Sequence, residues 1–379
     1  VNRLSALPLL FCAALGLTAC GGGSSDATAP TPAPAPAPSL ATPPPPLSGG
    51  WVAVDQKIAA AFAGSGVQGM TVAVFDRNDV KVFEKSYGNF SPTQRVAVAS
   101  ASKLVAGTVI FRLIGQGFLS LDSTTAQVLG WSGARGTITL RHLLSFTSGL
   151  IPEPACINNP FITLAACVDQ VRDDPAAVVA APGTRFDYGS THLHVAARMA
   201  EVATGKSWNT LYAEQLRTPL GLSAESTFYT LPDQRIGTLH PRVAGGLTAS
   251  LDEYARILAI SFHRGTVQGV TYAPASLFDQ QAIAPYPAAT IGLSPFASLG
   301  LDFRYGLAAW LECSTPATGC SAMSSPGAFG WTPWLDRQAG YYAVIAMLQN
   351  NASGSGVVAF SVSLAQSLKP DIVRALGAP

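Results

Sequence analysis

From residue 51 onward the spacing of apolar side chains changes period several times, and each change predicts an element. Residues 52–63 place apolar side chains at helical spacing, which predicts an amphipathic helix. Residues 69–75 form a short apolar run rich in valine, residues 80–87 form a second extended run, and Asp76-Arg77-Asn78-Asp79 lies between them. That combination predicts a β-hairpin. An apolar helical run covers 192–203, and residues 306–311 read as a further strand. Alternation opens at Ser324 and runs through Pro333-Trp334-Leu335; after a turn at 336–340, residues 341–348 read as the second strand of another hairpin. Residues 360–368 and 371–376 predict a closing helix interrupted at Pro370. Helices at both ends beside an antiparallel sheet, with a helical insertion between its strands, predict an α/β fold: an antiparallel β-sheet flanked by helices, plus an α-rich lobe. No internal repeat is evident.

Within this pattern one lysine is out of place. Ser100 and Lys103 are the only Ser-x-x-Lys pair in a chain of six lysines, and Lys103 sits among Ala101, Leu104, Val105, Ala106 and Val109. On a helix, positions three apart share a face, so an amine there can take the proton of a serine hydroxyl. Burial would lower the lysine pKa and leave a neutral base. The bland alternative is an N-cap serine with a solvated lysine, which the apolar neighbours disfavour.

Two downstream segments carry compatible chemistry. Tyr188-Gly189-Ser190 follows the turn 181–184 and precedes the helical run, a junction that can present a phenol and a hydroxyl to a cleft. A half-buried tyrosine held by a backbone partner is the competing reading. Ser324-Ser325-Pro326-Gly327-Ala328 opens the alternating stretch with small residues, which would let a substrate lie against backbone N–H groups.

The order of these segments resembles the serine β-lactamase-like family, which holds class C β-lactamases, D,D-peptidases of the penicillin-binding type and family VIII carboxylesterases. The resemblance rests on Ser100-x-x-Lys103, the run from Arg141 to Leu150, Tyr188-Gly189-Ser190, Thr218-Pro219-Leu220-Gly221-Leu222, Gly245-Gly246-Leu247 and the small-residue strand, and it covers residues 51–379. It implies that Ser100 is the acylated nucleophile, Lys103 its activating partner and Tyr188 the proton shuttle. It also implies an oxyanion hole from the backbone N–H groups of Ser100 and Ala328. Ser190 stands where the family usually has Asn, so the resemblance implies a hydrogen bond to Lys103 or substrate. Ser325-Pro326-Gly327 stands where β-lactamases carry Lys-Thr-Gly, with Ser325 and Gly327 expected at the substrate. A lysine there offers charge to a substrate carboxylate and a serine does not, which favours an esterase over a β-lactamase or carboxypeptidase.

The N-terminal residues read differently. Residues 1–19 have a short basic start and an apolar stretch too short for a comfortable membrane span, which predicts a cleaved signal peptide over a transmembrane anchor. Leu17-Thr18-Ala19-Cys20 resembles a bacterial lipobox, with Cys20 the lipid attachment site. Residues 20–50 are rich in Gly, Ala and Pro and predict an extended tether, up to about 90 Å at ~3.1 Å per residue. The expectation is an envelope lipoprotein sorted to the outer membrane, with membrane contact through the lipid only.

Composition narrows the remaining classes. The formal net charge of +1 gives no support for a nucleic-acid partner. Cys156, Cys167, Cys313 and Cys320 form two local pairs, which an oxidising compartment would allow to bridge as Cys156–Cys167 and Cys313–Cys320. Zinc is the competing reading, weakened because neither pair has Cys-x-x-Cys spacing. The five histidines are scattered, no Gly-x-Ser-x-Gly occurs, and no cofactor or metal is expected. The expected protein is a monomeric serine hydrolase acting on a small ester or amide; the alternative class is a non-catalytic envelope-binding protein that kept the fold.

Overall fold

The computed structural model describes residues 49–348 and 355–377, so the predicted leader (1–19), Cys20 and most of the predicted tether (20–50) lie outside the described residues. Chain order places α1 at Gly50–Ala63 and the hairpin β1 (Gly69–Asp76) and β2 (Lys81–Gly88), followed by α2 at Ser102–Gly115. A mostly helical stretch then includes α3 (Thr191–Thr204) and α4 (Leu251–Phe262). The chain returns to the sheet through β3 (Arg304–Tyr305), β4 (Trp310–Leu311), β5 (Ala322–Ser324), β6 (Thr332–Asp336) and β7 (Tyr341–Leu348), and closes with α5 (Ser355–Ala375).

The seven strands form one antiparallel sheet in the order β2-β1-β7-β6-β5-β4-β3. Because side chains alternate across a strand, Val72 and Val74 of β1 and Ala343 and Ile345 of β7 point to one face. There α1 supplies Val54 and Ile58 and α5 supplies Leu364, Leu368 and Ile372. Ala73, Phe75, Tyr342 and Val344 point to the other face, onto α2 and α4. The Phe75 and Tyr342 rings stack there at 4.9 Å. Helix α2 has water on almost no side, and eleven of its fourteen residues are buried, Lys103 among them. It joins the sheet to the helical lobe, and its N-terminus opens between the two.

Three sequence expectations need correction. Residues 306–311 are not one strand: Gly306 N–H donates to the Ala309 carbonyl at 2.9 Å, and Ala308 has φ 59°, so 306–309 is the turn between β3 and β4. Those residues are apolar because Leu307 and Ala308 are wholly buried, not because the chain is extended. The stretch from Ser324 is likewise broken. Between β5 and β6 the Gly327 N–H donates to Trp331 O at 2.7 Å and Gly330 turns the chain with φ 83°. Finally, α5 runs unbroken through Pro370. Proline removes one N–H from the ladder, which leaves the Gln366 carbonyl, four residues back, without its intrahelical donor, yet the helix continues.

Both disulfides are formed, Cys156–Cys167 and Cys313–Cys320. Among the described residues no helix is long and apolar enough to cross a membrane, and no cluster of three or more His, Cys, Asp or Glu could hold a metal ion.

Candidate active site

The nucleophile candidate sits on a tight turn. Residues Ala99–Ala101 form a single 3-10 turn that leads into α2, and Ala99 has φ 48°, a left-handed conformation a residue with a Cβ adopts only under constraint. The constraint is visible. Val98 N–H donates to Leu247 O at 3.0 Å, Ser102 Oγ donates to Ala99 O at 2.7 Å and accepts from Leu247 N–H at 3.1 Å, and Tyr254 Oη donates to Ala101 O at 2.7 Å. With its neighbours tied down, Ser100 is half-buried and lines a cleft of about 280 Å³.

Lys103, one helical turn on, shares that face. Its Nζ lies 2.9 Å from Ser100 Oγ and donates to the Ala244 carbonyl at 2.9 Å. Burial pulls its pKa down to about 7; Glu153 opposes that shift and Arg242 adds to it. Near neutrality a large share of the amine is therefore unprotonated, with its lone pair beside the serine hydroxyl.

Tyr188 follows a short strand, Arg185–Asp187, that pairs in parallel with Thr290–Leu293. Its ring stacks on Trp310 at 5.1 Å, and Lys103 Nζ lies 4.6 Å from the ring centroid. Burial raises the phenol pKa, while the Ser100 hydroxyl and the Trp310 indole favour its ionised form. Tyr188 is thus protonated at neutral pH and lies beside Ser100. Beneath it, His192 bridges Ser148 Oγ and the Asp187 carbonyl at 2.8 Å each, and burial lowers its pKa to about 4, so it supports the loop as a neutral ring.

The remaining predicted residues divide. Ala328 lines the cleft with Ser100, and among the described residues neither of their N–H groups has a protein acceptor. Ser190 also lines the cleft, but its hydroxyl donates to Glu153 Oε1 at 2.7 Å rather than meeting Lys103. A serine is shorter than the asparagine expected there, and its hydroxyl donates to the Glu153 carboxylate instead. Ser325 is buried, with its Oγ 3.4 Å from the Ser100 carbonyl. Gly327 gives its space to backbone rather than to substrate: a Cβ there would fall 2.2 Å from Val98 O. It lets the β5–β6 loop lie against the turn that carries Ser100 and so positions Ala328.

Sequence reasoning missed half of the cleft wall. Glu153 and Arg242 line it, as do Leu231, Pro232, Asp233 and Phe329. Arg242 stands three residues before the quoted Gly245-Gly246-Leu247, yet nothing in its spacing marks it. Glu153 lies in the loop that the Cys156–Cys167 bridge ties to the helix Leu164–Asp173.

Comparison with known proteins is consistent with this geometry. The model of the family described as Beta-lactamase matches residues 54–374. Penicillin-binding protein 4 of Amycolatopsis lactamdurans is 31% identical over 189 residues, 45% of this chain and 46% of that protein. The D-alanyl-D-alanine-carboxypeptidase/endopeptidase AmpH of Escherichia coli is 30% identical over 198 residues, 48% of this chain and 50% of the other. The chain thus spans about half the length of the curated relatives it matches. A solved structure described as a candidate beta-lactamase from Bacteroides dorei is 31% identical, with a TM-score of 0.74 over 84% of this chain and 98% of that one.

Proposed function

The chain belongs to the Beta-lactamase family, a family of serine hydrolases, and from that premise we propose that it hydrolyses small esters or amides through an acyl-enzyme on Ser100. The observation that carries the proposal is the buried Lys103 amine, its pKa drawn down to about 7, held 2.9 Å from the Ser100 hydroxyl in an open cleft. Neutral Lys103 takes the hydroxyl proton as Ser100 Oγ attacks the substrate carbonyl. The negative charge that develops on the carbonyl oxygen meets the N–H groups of Ser100 and Ala328. Tyr188 gives its proton to the leaving group and recovers one by way of Lys103. Water then releases the acid from Ser100, with the same groups acting in reverse.

Within this chemistry the reading favoured is a carboxylesterase. Ser325 offers no charge at the head of the third motif, and it is turned toward the Ser100 backbone, so a carboxylate presented there finds no cation. A panel of short p-nitrophenyl esters beside nitrocefin tests this, with kcat/KM expected to be much higher for the best ester. Equal or higher efficiency on nitrocefin would put a β-lactamase in its place, and no turnover of any substrate would favour the non-catalytic reading. Envelope anchoring through Cys20 belongs to the same proposal; it is supported by the lipobox-like Leu17–Cys20 and the proline-rich residues that follow, and acyl groups on the mature N-terminus would show it.

A further inference from the structure

Among the described residues most arginines meet a carboxylate or a backbone carbonyl, and the Arg242 side chain meets neither. Nearby, Arg95 is paired with Glu253 and Arg235 with Glu225. Arg242 takes part in no ion pair among the described residues, and its Nε is buried without a hydrogen-bond acceptor. It is only half-buried as a whole and lines the same cleft as Ser100 and Lys103. Its Nε loses hydration without gaining a protein acceptor, and the half-exposed remainder of the guanidinium is left facing the cleft, where a ligand can supply acceptors.

The two carboxylates in the cleft do not fill that role. Glu153 accepts the Ser190 hydroxyl, and burial raises the pKa of Asp233, opposite to the effect of an arginine contact. The position of Arg242 is fixed by its backbone. Its N–H donates to Tyr229 O at 3.0 Å, and its carbonyl accepts from Gly245 and Gly246 at 2.9 and 2.6 Å. A Cβ on Gly246 would lie 2.0 Å from Tyr229 O, so glycine is what allows this turn to close. The same turn carries the Ala244 carbonyl that holds Lys103, which ties the guanidinium to the reacting centre.

We infer that Arg242 is a specificity residue: it holds a carboxylate of the substrate, so the esters or amides taken by this cleft carry an acidic group that reaches the Arg242 guanidinium. The planar fork of arginine matches a carboxylate through two parallel hydrogen bonds. This inference rests on the acyl-transfer reading and names the substrate class within it. It also accounts for the neutral Ser325, since the anion is recognised by a different residue.

The test uses ester pairs in the wild type, Arg242→Gln and Arg242→Lys, with Ser100→Ala giving the background rate. One pair places the acid on the acyl side, p-nitrophenyl hemiglutarate beside p-nitrophenyl valerate; the other places it on the leaving group, 3-acetoxybenzoate beside phenyl acetate. The ratio of kcat/KM for the acidic ester over the neutral one is the readout, because it cancels any change in Lys103 basicity. It is expected to fall tenfold or more in Arg242→Gln for at least one pair, to recover in part in Arg242→Lys, and to shrink in the wild type as salt is added. Turnover with ratios unchanged by Arg242→Gln in both pairs overturns this inference alone. Turnover of none of the four esters above the Ser100→Ala background overturns the acyl-transfer reading and this inference with it.

Discussion

Lys103 carries the pH dependence of the proposed chemistry, because only its neutral form can accept the Ser100 proton. With burial setting its pKa at about 7, kcat/KM for a neutral ester is expected to rise through that pH and level off above it. Two cleft charges tune the limb in opposite directions. Glu153 favours the ammonium form, so Glu153→Gln should move the limb to lower pH; Arg242 disfavours it, so Arg242→Gln should move the limb to higher pH. A pH–rate profile of the three proteins checks this, and limbs that coincide would show that neither charge is felt at Lys103. At this scale the sequence was informative where chemistry is local: Ser100 and Lys103 are one turn apart, and the apolar neighbours of Lys103 foretold its burial. Arg242 and Glu153 were not legible, since each reaches the cleft through tertiary packing that leaves no local pattern.

The nucleophile turn and the β5–β6 loop act as one element. Gly327 fits against Val98 O with no room for a methyl group, so Gly327→Ala must push the loop away from the turn and carry Ala328 with it. Overpacking of this kind costs about 1–3 kcal/mol. The expected outcome is a modestly lowered melting temperature and a much larger loss of kcat, because the proposed oxyanion donor moves with the loop. A variant that melts lower but keeps full kcat would place the oxyanion donor elsewhere. Elements with regular alternation or helical period were legible, as the hairpin of β1 and β2 and the helix α1 show. The segments around 306–309 and 325–331 were misread because burial keeps a turn apolar as effectively as a strand, and hydropathy alone does not separate the two. Pro370 misled in the other direction, since α5 is held by packing against the sheet and α1, which outweighs the lost hydrogen bond.

Across the whole molecule, the cleft is assembled from parts far apart in sequence: the start of α2, the loop after Arg185–Asp187, the turn before α4 and the β5–β6 loop. The order of motifs made the fold recognisable, whereas Arg242, the residue proposed to select the substrate, lies outside the motifs. The central claim is that these parts converge on one reactive oxygen, Ser100 Oγ. Its most direct test is intact-mass and peptide-mapping analysis after reaction with a fluorophosphonate, with Ser100→Ala and Ser102→Ala treated in parallel. Ser102 is buried, with its Oγ bonded to Ala99 O and the Leu247 N–H, so it serves as the near control. The account predicts one adduct per chain, mapped to Ser100, retained in Ser102→Ala and absent from Ser100→Ala. An adduct on another residue, or one that forms as fast in Ser100→Ala, would contradict it.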